Sequence, residues 1–285
     1  MDHQRITEAL NRPAQALGVL PQLAGLKPQF TIQVHDSLSS TNKYAWHLVD
    51  QGSGAGTVVI AREQKTGQGQ WGRTWRSPPG GLYLSLILEP DVSAQEAALL
   101  TLASAWGIVT CFNNLAIAVQ LKWPNDLIYQ GRKVGGILTE TRLSRAQEGS
   151  TINHLETSST AQIRVAVVGV GINWLNPTPD PAIALASVLS GSAMASVQCI
   201  EDLGAIVLRG IHQGYTYWQM KGAAALIAAY QTKLANLGQI IQLNGHSGRV
   251  LGVSSDGNLE VGWNYLGQKS AQSFKPGEIS LGYNT

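Results

Sequence analysis

The residues best suited to chemistry lie in one short stretch near the middle of the chain. It reads Leu121-Lys122-Trp123-Pro124-Asn125-Asp126 and follows an apolar run. The ammonium of Lys122 is therefore expected to be partly buried, and a buried cation is costly unless an anion partners it. A ligand carboxylate or phosphate would be such a partner. Asp126 could form a plain salt bridge with Lys122, or it could help to hold Mg²⁺ together with phosphate oxygens.

A second stretch, upstream, is rich in glycine and tryptophan. Residues 67–72 match G-x-G-x-x-G, and residues 67–74 nearly match a P-loop with Arg73 in place of lysine. Both motifs need a helix directly after the glycines, because its N-terminus binds the phosphate. The prolines at 78–79 leave no room for that helix, so neither motif is assigned. The loop could still bind an anion through backbone amides and Arg73. The structural alternative is a hairpin with Trp71 and Trp75 in the core.

Two strand-like runs carry further glycines. Gly135 and Gly136 lie in one run, and residues 169–173, Gly-Val-Gly-Ile-Asn, end another. Glycine inside a strand indicates that a ligand or another backbone segment approaches closely. Asn173 adds an amide donor and acceptor at a strand end. We therefore expect several strand ends, cleared of bulky side chains, to form one ligand site.

The remaining chain must supply the elements that position these groups. A capping box at Ser93 and Glu96 predicts the start of a buried helix that runs to about Cys111. Residues 144–162 are polar and aperiodic, which predicts an exposed, mobile loop. Short strand-like runs separated by Asn-Gly, Asp-Gly and Pro-Gly after Gly238 predict a small β-barrel. Other patterns predict helices at 40–52, 201–221 and 222–236, and strands at 30–34, 57–61, 82–88, 117–122, 134–142 and 163–172.

Composition restricts the possible classes of protein. Hydrophobic residues make up 44% of the 285 residues and charged residues 13%, so the chain can form a core and is not globally disordered. A net charge of +2 without a basic run gives no argument for nucleic-acid binding. Cys111 and Cys199 lack metal-ligand spacing and are predicted to be reduced thiols. The N-terminus contains no long apolar stretch, which predicts a cytoplasmic protein without a signal peptide or membrane span.

Four motifs, in this order, resemble those of the biotin–protein ligases (biotin–[acetyl-CoA-carboxylase] ligases). They are Ser40-Thr41-Asn42, the loop from Gln64 to Trp75, residues 122–126 with Gly135-Gly136, and residues 169–173. The resemblance implies an α+β fold, in which a mixed β-sheet flanked by helices, related to lipoate ligases, precedes a small SH3-like β-barrel. We predict an N-terminal lead at 1–29, a catalytic biotin- and ATP-binding domain at 30–236 and the SH3-like domain at 237–285. Three prolines interrupt the short lead, which predicts a form without an N-terminal DNA-binding domain.

The resemblance implies a reaction in two steps. The carboxylate of biotin attacks the α-phosphorus of ATP, with Mg²⁺ as countercharge, and gives biotinyl-5′-AMP and pyrophosphate. A lysine of a biotin carboxyl carrier protein, a subunit of acetyl-CoA carboxylase, then attacks the mixed anhydride and releases AMP. ATP and biotin are thus the expected substrates and the carrier protein the expected partner. DNA and membranes are not expected as partners, and a homodimer stays possible.

The resemblance also implies roles for individual residues. Lys122 and Arg73 are implied to be catalytic, and Asp126 is the candidate Mg²⁺ ligand. The residues implied to bind biotin are Ser40, Thr41, Asn42, Gln64, Gly67, Gln68, Gly69, Gln70, Lys122, Gly135 and Gly136. Those implied to bind the nucleotide are Arg73, Trp75, Asn125, Asp126, Lys133 and Asn173.

The glycine-rich loop departs from the family pattern at two positions. Gln68 and Gln70 stand where basic residues usually stand, which predicts weaker retention of the adenylate or compensation by Arg73 and Lys65. Two alternatives stay open: a lipoate or octanoate ligase or transferase on the same fold, and a protein that sequesters biotin or its adenylate. A DNA-binding repressor is disfavoured by the short N-terminal lead and the near-neutral charge.

Overall fold

A computed structural model describes residues 1–143, 161–243, 245–265, 268–279 and 281–282. The loop predicted at 144–162 lies outside the described residues except for its last two positions, where Gln162 begins a strand.

Within the described residues, the strands of the larger sheet are β1 (Thr31–Leu38), β2 (Thr57–Gln64), β3 (Leu82–Leu88), β4 (Val92–Ser93), β5 (Gln120–Lys122), β6 (Asp126–Tyr129), β7 (Arg132–Leu143) and β8 (Gln162–Ile172). They are ordered β1-β2-β3-β8-β7-β6-β5, and β4 pairs with β8. The sheet is mixed, because β1 runs parallel to β2 and the other pairs are antiparallel. The outer edge of β5 is paired with backbone at 233–235, since Leu121 N donates to Lys233 O and Ala235 N to Leu121 O.

Helices cover both faces of this sheet. They are α1 (His3–Leu10), α2 (Thr41–Asp50), α3 (Ala97–Asn114), α4 (Gly191–Ser196) and α5 (Ile200–Gln231), with short 3₁₀ turns at Ala14–Leu17, Pro21–Leu23, Gln70–Gly72, Ala94–Glu96 and Leu185–Ser187. Alternate residues of a strand face opposite sides. Val59 and Val167 pack under α2, whereas Val58 and Val168 belong to the main core with α3 and α5. One face therefore carries the helical core, and the other carries α2.

The predicted capping box is present at Ser93 and Glu96, where it begins the 3₁₀ turn Ala94–Glu96 that leads directly into α3. Among the described residues, one segment, Ala94–Asn114, is long and apolar enough to span a membrane. Most of that segment is buried inside the protein, where α3 packs against α5 and the sheet. Its apolar composition is therefore explained by its place in the core. Helix α5 breaks at Gly222 (φ 81°), where the sequence predicts a boundary between two helices.

A second sheet follows in the C-terminal part of the chain. Its strands β9 (Ile240–Leu243), β10 (His246–Val253), β11 (Leu259–Tyr265) and β12 (Gln268–Phe274) are antiparallel and ordered β12-β11-β10-β9. Val250, Leu259 and Phe274 belong to the same buried core as the larger sheet. This sheet therefore packs closely on the rest of the molecule.

The predicted α+β class, a mixed sheet flanked by helices with an antiparallel β unit at the C-terminus, is confirmed. Closure of the C-terminal unit into an SH3-like barrel and the domain boundaries at 29 and 236 stay predictions. The sequence prediction did not include β6 and began β5 at 117, whereas β5 begins at Gln120. Ile6 and Leu17, in the N-terminal 29 residues, are fully buried in the main core.

Candidate active site

A cavity of about 380 Å³ lies beside the N-terminus of α2. Gly169 and Gly171 of β8 line it, and they alternate in register with Val167, which packs under α2. The cavity is therefore on the α2 face of the sheet. Its other walls come from the glycine-rich loop, the turn between β5 and β6, and the segment after β12.

The fold brings nearly all of the predicted site residues to this one cavity. The predicted residues that line it are Ser40, Thr41, Asn42, Gln64, Gln68, Gly69, Gln70, Arg73, Trp75, Lys122, Asn125, Asp126, Lys133, Gly136 and Asn173. Gly67 and Gly135 do not line it. A Cβ at Gly67 would lie 2.5 Å from Trp75 O, so this glycine lets the two arms of the loop meet. A Cβ at Gly135 would lie 2.8 Å from Gly171 O, so this glycine serves strand packing.

A largely buried network of polar groups, neutral apart from Glu140, fixes one end of the cavity. Ser85 Oγ donates to Asn42 Oδ1 at 2.6 Å and lies 2.8 Å from Thr41 Oγ1. Gln64 Oε1 accepts from Thr41 N at 2.8 Å, and Asn42 Nδ2 donates to Glu140 Oε2 at 2.7 Å. Buried polar groups held in such a network have few alternative rotamers. The side chains of Thr41, Asn42 and Gln64 are therefore held in place before any ligand binds.

The two glycines of β8 make room for protein side chains. A Cβ at Gly169 would lie 2.2 Å from Asn42 Oδ1, and one at Gly171 would lie 2.3 Å from Trp75 Nε1. The side chains of Asn42 and Trp75 thus lie directly on the strand. The indole Nε1 of Trp75 is buried and has no hydrogen-bond partner among the described residues. The space predicted for a ligand above these glycines is therefore partly filled by residues that themselves line the cavity.

Among the cations at the site, Lys122 is the one whose pKa is clearly shifted. It ends β5, lines the cavity and is only 7% exposed. Burial lowers the pKa of Lys122 to about 8, and the positive charges of Lys133 and Arg73 act in the same direction. Asp126 opposes this shift. An anionic ligand would relieve the penalty on this ammonium, as predicted for a lysine that binds a carboxylate or phosphate.

Asp126 has a close partner in Lys133. Lys133 Nζ lies 2.5 Å from Asp126 Oδ1 and 5.2 Å from the centre of the Trp75 ring. Both side chains are largely shielded from solvent. Asp126 therefore forms a salt bridge with Lys133, whereas the salt bridge to Lys122 that the sequence suggested stays a prediction. It also places the lysine ammonium over the indole face, where a cation is favoured.

Three hydrogen bonds anchor the turn that presents Lys122 and Asp126. Asn125 Nδ2 donates to Ile137 O at 2.6 Å, which ties the turn to β7. Tyr230 Oη of α5 donates to Pro124 O at 3.0 Å. Trp123 Nε1 donates to Gly257 O of the C-terminal unit at 2.9 Å. The turn is thereby fixed to three separate parts of the fold.

The glycine-rich loop forms a hairpin-like arch over the cavity. Isolated bridges join Gln64 to Ser77 and Gln68 to Thr74. Trp71 sits at the tip, 64% exposed and in the left-handed region at φ 59°. Such a conformation is unusual for a bulky residue and costs on the order of 1–3 kcal/mol, so it points to a specific role.

Charge at the cavity is strongly one-sided. Its described lining includes four cationic side chains, Arg73, Arg76, Lys122 and Lys133, and one carboxylate, Asp126. Lys65 pairs with Glu63 at 2.8 Å and does not line the cavity, whereas Arg73 does. Compensation for Gln68 and Gln70 stays a prediction. The described residues contain no cluster of three or more metal-ligating side chains. The cavity therefore suits a ligand that is anionic in one part and neutral in another.

Sequence reasoning missed several residues of the site. Ser85 and Glu140 complete the buried network, and a lone hydroxyl in the apolar run of β3 was the available signal for Ser85. Further lining residues that received no individual role are Trp71, Thr74, Arg76, Trp123, Pro124, Ile137, Leu138, Gly169, Val170, Gly171, Pro179, Ala182, Gly277, Ile279 and Leu281. The last three come from the segment after β12, which no local pattern connects to the site. Residues 169–171 belong to the strand end at which the sequence already predicted a ligand.

Comparison with known proteins identifies the family of this chain. Residues 34–155 match the model of the biotin/lipoate A/B protein ligase family. The chain is 31% identical over 233 residues to the bifunctional ligase/repressor BirA of Bacillus subtilis (strain 168), covering 79% of this chain and 67% of BirA. The chain belongs to the biotin–protein ligases.

Two other biotin–protein ligases extend the comparison. The biotin–[acetyl-CoA-carboxylase] ligase of Paracoccus denitrificans is 29% identical over 213 residues, which cover 71% of this chain and 80% of that one. The structure of the biotin protein ligase from Aquifex aeolicus in complex with biotin and ATP superposes with a TM-score of 0.60 at 22% identity. It covers 89% of this chain and 99% of that chain, so the ligase fold extends over most of this molecule. The family predicted from the four motifs is confirmed.

Proposed function

We propose that this protein is an ATP-dependent biotin–[acetyl-CoA-carboxylase] ligase, which activates biotin as biotinyl-5′-AMP and transfers it to a lysine of a biotin carboxyl carrier protein. The observation that carries this proposal is a single cavity in which the neutral side chains of Ser40, Thr41, Asn42 and Gln64 stand together with four cationic side chains. Biotin is a neutral ring system with a carboxylate tail, and ATP is polyanionic. Membership of the ligase family supports the same pair of substrates.

The neutral network is suited to the ureido group of biotin. That group presents N–H donors and a carbonyl acceptor, and the amide and hydroxyl groups of Ser40, Thr41, Asn42 and Gln64 can complement both. Neutral side chains suit this position because burying a charged side chain against the uncharged ureido group, without a counter-ion, is costly. The apolar body of biotin would then lie along β7 near Gly136. Gly135, on the other side of that strand, has no part in this contact.

In the first step, a carboxylate oxygen of biotin forms a bond with the α-phosphorus of ATP. The bond from that phosphorus to the bridging oxygen breaks, and pyrophosphate leaves. Negative charge shifts from the carboxylate to the phosphoryl oxygens, and the buried ammonium of Lys122 stabilises it in both places. Arg73 and Lys133 hold the phosphates, while Asp126 keeps Lys133 in position. Trp75 and Asn173 lie on the nucleotide side.

In the second step, the neutral amine of the acceptor lysine attacks the carbonyl carbon of the mixed anhydride. The carbon–oxygen bond to phosphate breaks, AMP leaves, and the new amide nitrogen releases a proton. Water would hydrolyse the same anhydride, so a closed loop over the cavity protects it. Lys122 again stabilises the charge on the departing phosphate.

Mg²⁺ fits the site as a companion of ATP. The cavity offers one carboxylate, Asp126, already in contact with Lys133. Mg²⁺ commonly binds to one or two carboxylates and takes its remaining ligands from substrate phosphates and water. When bound, the ion would neutralise phosphate charge, and Asp126 is the residue that would hold it.

The decisive experiment is mass spectrometry of a biotin carboxyl carrier domain incubated with the protein, biotin and MgATP. Wild type and Lys221→Ala, which removes an exposed lysine of α5, should add the mass of one biotinyl group. Lys122→Ala should lose this activity. No mass gain with wild type, while calorimetry still detects biotin binding, would instead favour a sequestering protein. Preferential transfer of lipoate from a mixture would favour the other acyl ligase.

The cytoplasmic location, the absence of DNA and membrane partners and the possible homodimer stay predictions. The carrier domain is supported by the names of related ligases, and its docking surface is open to experiment.

A further inference from the structure

The tip of the glycine-rich loop touches the segment that follows β12. A Cβ placed on Gly277 would lie 2.6 Å from Cζ2 and 2.7 Å from Cε2 of the Trp71 indole. The backbone of Gly277 is therefore in direct contact with the aromatic ring, at a distance that only glycine permits. Residue 71 is thus joined to a part of the chain about two hundred positions later.

A tight turn presents Gly277 to the indole. Glu278 N donates to Lys275 O at 3.1 Å, and Glu278 Oε2 accepts from Lys275 N at 2.7 Å. Pro276 and Gly277 occupy the two central positions, and Gly277 has φ 96°. Proline followed by glycine with positive φ is the pattern of a type II turn. The glycine is required both by this turn and by the contact with Trp71.

Both partners of this contact lie at the cavity. Trp71 and Gly277 line it, and Ile279 and Leu281 continue the same wall. Trp71 holds a left-handed conformation at the loop tip, and the loop carries neutral glutamines at 68 and 70. The loop tip therefore contacts the segment after β12 through two uncharged groups, the Trp71 indole and the backbone of Gly277.

We propose that Trp71 and Gly277 form a clasp that holds the glycine-rich loop closed over the bound adenylate. The clasp rests on the proposed ligase function and deepens it, because it assigns retention of the intermediate to two positioning residues. Neither residue performs a chemical step; they act by keeping the loop across the mouth of the cavity. Because the contact is uncharged, its contribution is insensitive to salt, unlike retention by loop arginines.

The test is the release rate of preformed biotinyl-5′-AMP. The full-length protein is loaded with biotin, MgATP and pyrophosphatase, freed of excess substrate, and followed without acceptor by chromatography of the released adenylate. Trp71→Ala and Gly277→Ala should each release it about threefold to tenfold faster, the range expected for loss of one aromatic contact. Trp71→Phe should restore most of the retention. The double variant should match Trp71→Ala, because the added methyl group then has no ring to displace.

Gly245→Ala is the matched control for backbone strain. Gly245 has φ 80° in the same C-terminal unit, but a Cβ there would have no neighbour within 4 Å. This variant should release adenylate at the wild-type rate, at both low and high salt.

The outcomes separate the clasp from the proposed function. If the wild type forms no adenylate, the proposed function itself fails. If adenylate forms but both single variants release it at the wild-type rate, the clasp is wrong. Additive effects in the double variant, or equal acceleration by Gly245→Ala, would also contradict it, since they would show independent damage to the C-terminal unit.

Discussion

Replacing Lys122 with methionine should abolish activity and yet stabilise the ligand-free protein. The ammonium is buried, and its pKa falls from the ordinary 10.5 to about 8. Wild type therefore tolerates a charge that the fold disfavours until an anionic substrate arrives. Methionine keeps an unbranched, flexible side chain of similar length and carries no charge, so it retains packing while removing the penalty.

The expected gain in the free energy of unfolding follows from the shift in the pKa of Lys122. The difference between 10.5 and about 8 is about 2.5 pKa units, and at about 1.36 kcal/mol per unit this gives on the order of 3 kcal/mol. Lys122 lines a cavity that is open to solvent, so screening reduces this figure and about 3 kcal/mol is an upper bound. The pKa is lower in the folded state, so the unfolded state binds the proton more tightly. The penalty is thus complete below pH 8, shrinks as the pH rises, and is absent above about pH 10.5.

Urea unfolding of wild type and Lys122→Met at pH 7 and pH 10, without ligands, measures this difference. The variant should be more stable at pH 7, and its advantage should shrink at pH 10. Lys221→Met, at an exposed position, should change stability little at either pH. Saturating biotinyl-5′-AMP should reverse the order, because ligand binding stabilises the wild type. A less stable Lys122→Met at pH 7, or an advantage independent of pH, would refute the reasoning.

Three further predictions concern catalysis and binding. First, kcat/KM for biotin in adenylate formation, followed by pyrophosphate release, should fall as the pH rises through about 8, because Lys122 then loses its proton; a constant rate up to pH 10 would contradict this role. Second, Ser85→Ala should weaken biotin binding roughly tenfold in calorimetry, since it removes a buried donor from Asn42; unchanged affinity would remove the network from the biotin site. Third, Gln70→Arg should slow adenylate release by restoring a loop charge near the phosphates, and an unchanged release rate would exclude that explanation.

Much of the site was predictable because its residues lie in short motifs at strand ends. Strand β3 spans Leu82–Leu88, as predicted, since a continuous apolar run bounded by glycine and proline has few alternative structures. Lys122 was expected to be buried because it ends such a run, and its lowered pKa agrees with that expectation. Local sequence therefore predicts the burial of a residue wherever a single strand or helix determines its surroundings.

Other features depend on contacts that local sequence does not encode. Gly135 and Gly136 were assigned one role as a pair, but neighbouring residues of a strand face opposite sides, so only Gly136 reaches the cavity. Asp126 pairs with Lys133, which the register of β6 on β7 brings close. Gly277 lines the cavity because the C-terminal unit packs next to the glycine-rich loop. The sequence around Pro276-Gly277 predicts a turn but does not indicate which part of the fold that turn will contact.

The hydrogen bond from Trp123 to Gly257 has a consequence for building new enzymes from this one. Trp123, the residue next to Lys122, donates a hydrogen bond from its indole to a carbonyl in the C-terminal unit. That unit therefore cannot be exchanged between ligases as an independent module, even where its own strands fold correctly. A functional chimaera needs a junction that keeps the carbonyl at position 257 within reach of Trp123, so changes in the C-terminal unit would also act on the turn that carries Lys122.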